Sequence, residues 1–151
     1  METNKTGMVN ISNKPVVHRE AIAMGKIFLN SKSFASIVEK TNPKGDVLEN
    51  AKLSAINAVK KTPELIFMCH PIPIENVKVW FELSQKELSV TIYVKVVADW
   101  KTGVEMEALT GVSAGLLSIW DVCKRYEKDE TGNYPNTHIE EIRVVEKKKQ
   151  L

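Results

Sequence analysis

The sequence predicts an α+β fold: one antiparallel sheet with two main helices packed on one of its faces. Apolar residues alternate at Val77, Val79, Phe81 and Leu83, and again at Val90, Ile92, Val94 and Val96. That is the period of a strand with one buried face, and the short polar run Ser84 to Glu87 between them makes the pair a hairpin. Two other stretches, one after Asp46 and one after Thr102, carry apolar residues at the 3.6-residue period of an amphipathic helix. Two such helices among antiparallel strands each have one stripe to bury, and the sheet face is what they bury it against.

The elements follow in order. Lys26 to Leu29 is a short strand candidate, and Ser33 to Lys40 fits a brief helix with Phe34, Ile37 and Val38 on one face. Pro43 and Gly45 mark a loop. Asp46 at the N-cap and Glu49 at N3 form a variant capping box opening a helix that carries Leu48, Ala51, Ala55 and Val59 and stops before Pro63. After the hairpin, Thr102 and Glu105 read as a second capping box. They open the longest helix, striped by Leu109, Val112, Leu116, Ile119 or Trp120, and Cys123, and ending near Glu127. Gly132 and Pro135 form a loop before a last strand from about His138 to Val145.

With 151 residues the chain fits a single domain, expected to span residues 9–146 between an N-terminal tail of residues 1–8 and a Lys-rich tail of residues 147–151. Both ends lack periodicity and are expected to fray. No apolar run approaches the roughly 20 residues of a bilayer span, and the opening residues lack a secretory signal, so a cytoplasmic protein away from membranes is expected. Two cysteines, Cys69 and Cys123, are too few for a disulfide framework and read as thiols. A net charge of +2, with basic and acidic residues interspersed, argues against a dedicated nucleic-acid binder.

The chemistry-bearing strings are few. In Met68-Cys69-His70-Pro71-Ile72-Pro73 two prolines stiffen the loop that presents His70, an imidazole suited to proton transfer or to bonding a phosphate or purine edge. The plainer alternative is a half-buried histidine beside a packed thiol. Asp121, Lys124 and Lys128 fall at i, i+3 and i+7 on one helix face, where a carboxylate and two ammonium groups converge; a solvated i, i+3 pair is the competing reading. Lys44 precedes a helix N-terminus whose free N–H groups attract anions, without the glycine spacing of a P-loop. Glu105 is explained as a cap. Glu107 is not, and it is the better candidate for holding the amino and ring N–H groups of a guanine-like ligand. Arg19 offers a planar fork to phosphate. The spacings of Cys69, Cys123, His18, His70 and His138 do not match a zinc site, and no metal is expected.

Taken in one order, Pro43-Lys44-Gly45-Asp46-Val47, Met68-Cys69-His70-Pro71, Thr102-Gly103-Val104-Glu105-Met106-Glu107-Ala108-Leu109-Thr110 and Asp121-Val122-Cys123-Lys124 resemble the MoaC family, the cyclic pyranopterin monophosphate synthases of molybdenum cofactor biosynthesis. The resemblance runs from about Val9 to about Lys128. It implies a ferredoxin-like layout, no redox cofactor, and a homo-hexamer, a trimer of dimers with its sites between subunits. It also implies conversion of 3′,8-cyclo-7,8-dihydroguanosine 5′-triphosphate to cyclic pyranopterin monophosphate with release of pyrophosphate. Lys44 and Lys124 would be the principal catalytic lysines, Asp121 their acid/base partner, and His70 and Arg19 active-site support. Met68, Cys69, His70, Met106 and Glu107 would line the substrate site, with Glu105 and Lys128 beside it. Asn10 stands where the family often has aspartate, Met68 where leucine is common, and Trp120 where tyrosine is frequent. The Lys-rich ending departs from the Gly- and Ser-containing end of many members. The competing functional class is a non-catalytic nucleotide- or RNA-binding module using Lys44, Lys124 and the lysine tail; a purely structural oligomer is a third.

Overall fold

The computed structural model describes residues 6–150. Residues 1–5 of the expected N-terminal tail, and Leu151 of the Lys-rich one, lie outside the described residues. The elements are β1 (Val17–Phe28), α1 (Ser31–Val38), α2 (Val47–Lys60), α3 (Thr62–Leu65), β2 (Asn76–Ser84), β3 (Ser89–Trp100), α4 (Glu105–Glu127) and β4 (His138–Gln150). They form one four-stranded sheet in the order β2-β3-β1-β4, antiparallel at every pairing. With helices crossing one face between β1 and β2 and between β3 and β4, this is a ferredoxin-like α+β fold. No helix among the described residues is long and apolar enough to cross a membrane.

The core lies between that face and the pair α2 and α4. Val90, Ile92, Val94 and Val96 of β3 are fully buried against Val112, Leu116 and Ile119 of α4 and Ala51, Ala55 and Val59 of α2. The helices approach closely because glycine and alanine occupy the contact. A Cβ on Gly115 would stand 2.4 Å from Ile92 Cδ1, and one on Gly111 would stand 2.8 Å from Val59 Cγ2. Neither residue has room for a side chain.

Asp46 caps α2 as expected, its carboxylate accepting the Glu49 N–H at 3.1 Å. Other expectations need correction. The first strand is three times longer than the Lys26 to Leu29 candidate, because its inward row reads Val17, Arg19, Ala21, Ala23 and Ile27: small residues and a charge break the apolar alternation. The first helix starts two residues early, where Asn30 accepts the Ser33 N–H, and it leaves Val38 exposed. The second capping box does not form. Val104, 1% exposed, takes the N-cap place of α4 without a side-chain cap, since the core claims its side chain and leaves Thr102 upstream. Glu146 to Gln150, expected to fray, form the end of β4, where Lys147, Lys148 and Lys149 register against Ala21, Glu20 and Arg19.

The exit of α4 is fastened by Glu127, 2% exposed. Its carboxylate accepts the Asn30 N–H at 3.0 Å, the Thr137 hydroxyl at 2.6 Å and a short hydrogen bond from the Ser33 hydroxyl. One side chain thus joins α4 to the starts of α1 and β4. Glu127→Ala strands two buried hydroxyl donors and one half-buried N–H, and the expected loss is about 3 kcal/mol of unfolding free energy. Urea denaturation reads it; a change below about 0.5 kcal/mol, the usual bound for an uninvolved surface position, removes this role.

Candidate active site

Two groups of candidate side chains gather at opposite ends of α4. At its N-terminal end, the stiff loop after α3 brings Met68, Cys69 and His70 beside Glu105, Met106 and Glu107, forming with Thr102 and Gly103 a pocket of about 350 Å³. Residues 7–14 close one side through Gly7, Val9, Ile11 and Lys14. That segment is held by two contacts. His70 Nε2 lies 2.7 Å from the Val9 carbonyl, and Lys101 donates to the Ser12 carbonyl at 3.5 Å.

The pocket is acidic on one side. Glu107 is 2% exposed, and burial pushes its carboxyl up to about 7, with the neighbouring Glu105 charge adding to the rise and the Glu107 main-chain N–H opposing it. Near neutral pH it therefore passes between donor and acceptor states. Burial also raises the Cys69 thiol, with the charges of Glu107 and Glu105 acting in the same sense, so Cys69 is a neutral wall and not a thiolate nucleophile. Cys69 and Cys123 are both unpaired. Glu105 is not a cap. Its Oε1 accepts from Lys147 Nζ at 3.2 Å while its buried Oε2 has no partner.

Arg19 lies inward on β1, 5% exposed, with its guanidinium donating to the Lys101 carbonyl at 3.3 Å and its Nε without a partner. Its partner Lys101 directly precedes Thr102 and Gly103 of the pocket wall, and Arg19 is not at the surface that an isolated arginine suggests. Two buried charged atoms of the described residues, Arg19 Nε and Glu105 Oε2, thus lack hydrogen bonds in this one neighbourhood. Such atoms suit a site that a polar ligand completes.

The second group lies past the middle of α4. Asp121 Oδ1 is 3.0 Å from Lys124 Nζ, and Asp121 Oδ2 is 3.7 Å from Lys44 Nζ on the loop before α2. Lys124, first by its hydrogen bond and then by its charge, and Lys44 after it hold the Asp121 carboxyl below the usual carboxylate range. Asp121 in turn raises Lys124, which stays an ammonium at neutral pH. Leu117, Trp120 and Tyr134 make the adjoining open depression. Lys128 does not join this group. It is the extended, exposed C-cap of α4, and among the described residues the carboxylate of Asp121 meets only Lys44 and Lys124.

Met106 and Asp121 lie roughly 22 Å apart along α4, at ~1.5 Å of rise per residue. One chain therefore presents the acidic pocket and the lysine pair as separate surfaces. Sequence reasoning missed Lys147 and the 7–14 segment. No local signal marked Lys147, because the apolar alternation at Ile142 and Val144 stops at Val145 and only polar residues follow through Gln150. In residues 7–14 the apolar Met8, Val9 and Ile11 show no regular period, so nothing local announces a wall.

A family model described as the MoaC family matches residues 8–150. A probable cyclic pyranopterin monophosphate synthase of Archaeoglobus fulgidus is 53% identical over 149 residues, covering 99% of this chain and 94% of that protein. One from Pyrococcus abyssi is 53% identical over 140 residues, covering 93% and 87%. One from Methanococcoides burtonii is 50% identical over 150 residues, covering 99% and 93%.

Proposed function

Because this chain belongs to the MoaC family, we propose that it carries out the reaction its relatives' names state, the formation of cyclic pyranopterin monophosphate. It is a lyase of molybdenum cofactor biosynthesis. It converts 3′,8-cyclo-7,8-dihydroguanosine 5′-triphosphate to cyclic pyranopterin monophosphate and releases pyrophosphate. The observation that carries this reading is half or more identity to synthases so named along nearly the whole chain. A non-catalytic nucleotide- or RNA-binding module is not favoured by these relatives. The direct test is to supply purified protein with the cyclic guanosine triphosphate and follow pyrophosphate and the pterin product by mass spectrometry; no product under any pH between 6 and 9 would falsify the assignment.

The side chains suit the steps. Closing a cyclic phosphate forms a bond from a substrate hydroxyl oxygen to the α-phosphorus and breaks the bond to the pyrophosphate oxygen. The hydroxyl proton must be taken up, and negative charge builds on the leaving pyrophosphate. In this reading Lys44, Lys124 and Asp121 exchange the protons and neutralise phosphate oxygens. Glu107 holds the base, with Met68, Cys69 and Met106 as walls and His70, Arg19 and Glu105 as polar support. The substrate must touch both groups, which one chain keeps some 22 Å apart at ~1.5 Å per residue of α4. We therefore place the lysine pair of one subunit against the acidic pocket of another in a homo-hexamer, a trimer of dimers. No part of this reading needs a redox cofactor or metal. The two unpaired thiols agree with a cytoplasmic setting.

Glu107 and Asp121 are then separable. A ligand offering N–H groups binds the Glu107 carboxylate, so with a carboxyl at about 7 binding below neutrality expels a proton. Affinity should rise as pH climbs from 6 to 8 and then level. Calorimetry in buffers of different ionisation enthalpy should show proton release near pH 6.5. Glu107→Gln, which turns an acceptor into a donor, should abolish the release and weaken binding about tenfold or more. Asp121→Asn should instead slow the single-turnover rate with little change in affinity. The reverse pattern overturns both assignments. The free protein supplies an independent check. A folded-state pKa of about 7 against an ordinary 4.5 contributes stability below pH 4.5 that is lost as pH rises through 7, and Glu107→Gln removes that dependence from the thermal midpoint.

A further inference from the structure

Lys44 reaches Asp121 from the short loop between α1 and α2. Its ammonium is half exposed at the end of a four-carbon stem, 3.5 Å from the Asp121 carbonyl and 3.7 Å from the carboxylate. Gly45 has φ +104, so the chain turns sharply just after it. A long flexible stem is aimed by where its main chain is fixed.

That fixing comes from Asn42, which is 6% exposed although it lies in a surface loop. Its Oδ1 accepts the Lys44 N–H at 2.9 Å, and its main-chain carbonyl accepts the Gly45 N–H at 3.0 Å. Its Nδ2 faces the other way, donating to the Val122 carbonyl of α4 at 3.4 Å, with the Cys123 sulfur 4.0 Å away. The same carboxamide therefore touches the residue that carries one lysine and the α4 turn that carries Asp121 and Lys124. Pro43, between Asn42 and Lys44, fixes φ and removes a competing N–H, which favours an Asn side chain bonding two residues on.

We propose that Asn42 is a positioning residue, its carboxamide clamping the Lys44 loop to α4 so that Lys44 is held beside Asp121 and Lys124. The proposal rests on the reading of Lys44 as part of the reaction; the clamp itself is physical and is tested apart from turnover. The Val122 carbonyl lies inside α4 and keeps its helical partner without Asn42, so Asn42→Ala strands one N–H only and should fold. Asn42→Asp keeps the acceptor for the Lys44 N–H but replaces the donor that meets the Val122 carbonyl with a second oxygen, so it separates the two halves of the clamp.

Hydrogen exchange of the Lys44 amide, followed by NMR on the full chain, should quicken about fivefold or more in Asn42→Ala, the equivalent of one lost hydrogen bond. In Asn42→Asp it should stay close to wild type. In turnover, Asn42→Ala should lower kcat about tenfold or more with a smaller change in KM, as expected when a reacting group is displaced by a fraction of an ångström. Asn42→Asp should not recover that loss, because its second oxygen faces the Val122 carbonyl and the tie to α4 is cut. In the Lys44→Ala background Asn42→Ala should cost nothing further in single-turnover rate, because its effect passes through Lys44. Unchanged exchange in Asn42→Ala overturns the clamp. An unchanged kcat, or an equal further loss in the Lys44→Ala background, overturns the link to Lys44. If wild-type protein forms no pterin product, the proposed function fails while the exchange experiment still decides whether Asn42 holds the loop.

Discussion

Lys44→Ala and Lys124→Ala are each expected to lower product formation by about a thousandfold while leaving the fold intact. Both ammonium groups are exposed at a single carboxylate, 3.7 and 3.0 Å from Asp121 oxygens, and neither stem belongs to the buried set between sheet and helices. Their removal costs little stability, because exposed ion pairs contribute little. The rate is another matter. A group that moves a proton in the transition state is worth roughly 10²–10⁴-fold, and one that neutralises phosphate oxygens adds to it. Single-turnover rates with far-ultraviolet circular dichroism and thermal midpoints check this. A variant that loses activity only in proportion to lost helix signal withdraws the lysine from the chemistry.

Mixing two inactive variants should restore activity. If the pocket of one subunit faces the lysines of another, a Lys124→Ala subunit still offers a sound pocket and a Glu107→Gln subunit still offers sound lysines. Unfolded together and refolded in equal amounts, they should form mixed assemblies containing some whole sites. Random assortment makes about a quarter of the sites whole when each draws on two subunits. Activity should return to that order, against near zero for either variant alone. The same preparation should sediment as a hexamer. A fully active monomer, or no recovery on mixing despite verified mixed hexamers, sinks the shared site.

How much of the site was legible depended on whether a residue's role is local. Asp46 and Glu49 declared the start of α2 because an N-cap needs only its own three following residues. The Asp121 and Lys124 pair followed from helical spacing alone. The second capping box failed for the opposite reason: Thr102 and Glu105 had suitable spacing, but burial of Val104 fixed where α4 begins, and Glu105 turned to Lys147 of β4. Arg19 looked like a surface residue because its neighbours in sequence are polar. It lies instead on the inward row of β1, and its guanidinium donates to the Lys101 carbonyl, 82 residues on.

By itself the sequence determined the layered α+β plan, the hairpin, the long helix and the strings that align with one family, because periodicity and capping are written over a few residues. Tertiary structure alone decided the rest. It placed Glu107 where burial lifts its carboxyl to about 7, since desolvation is set by packing from every side. It turned the lysine ending into the last turns of pairing on β1, since a strand needs a partner that its own residues do not specify. It also put the acidic pocket and the lysine pair at two ends of one rigid rod, since a helix rises by a fixed ~1.5 Å per residue and cannot fold back to bring them together.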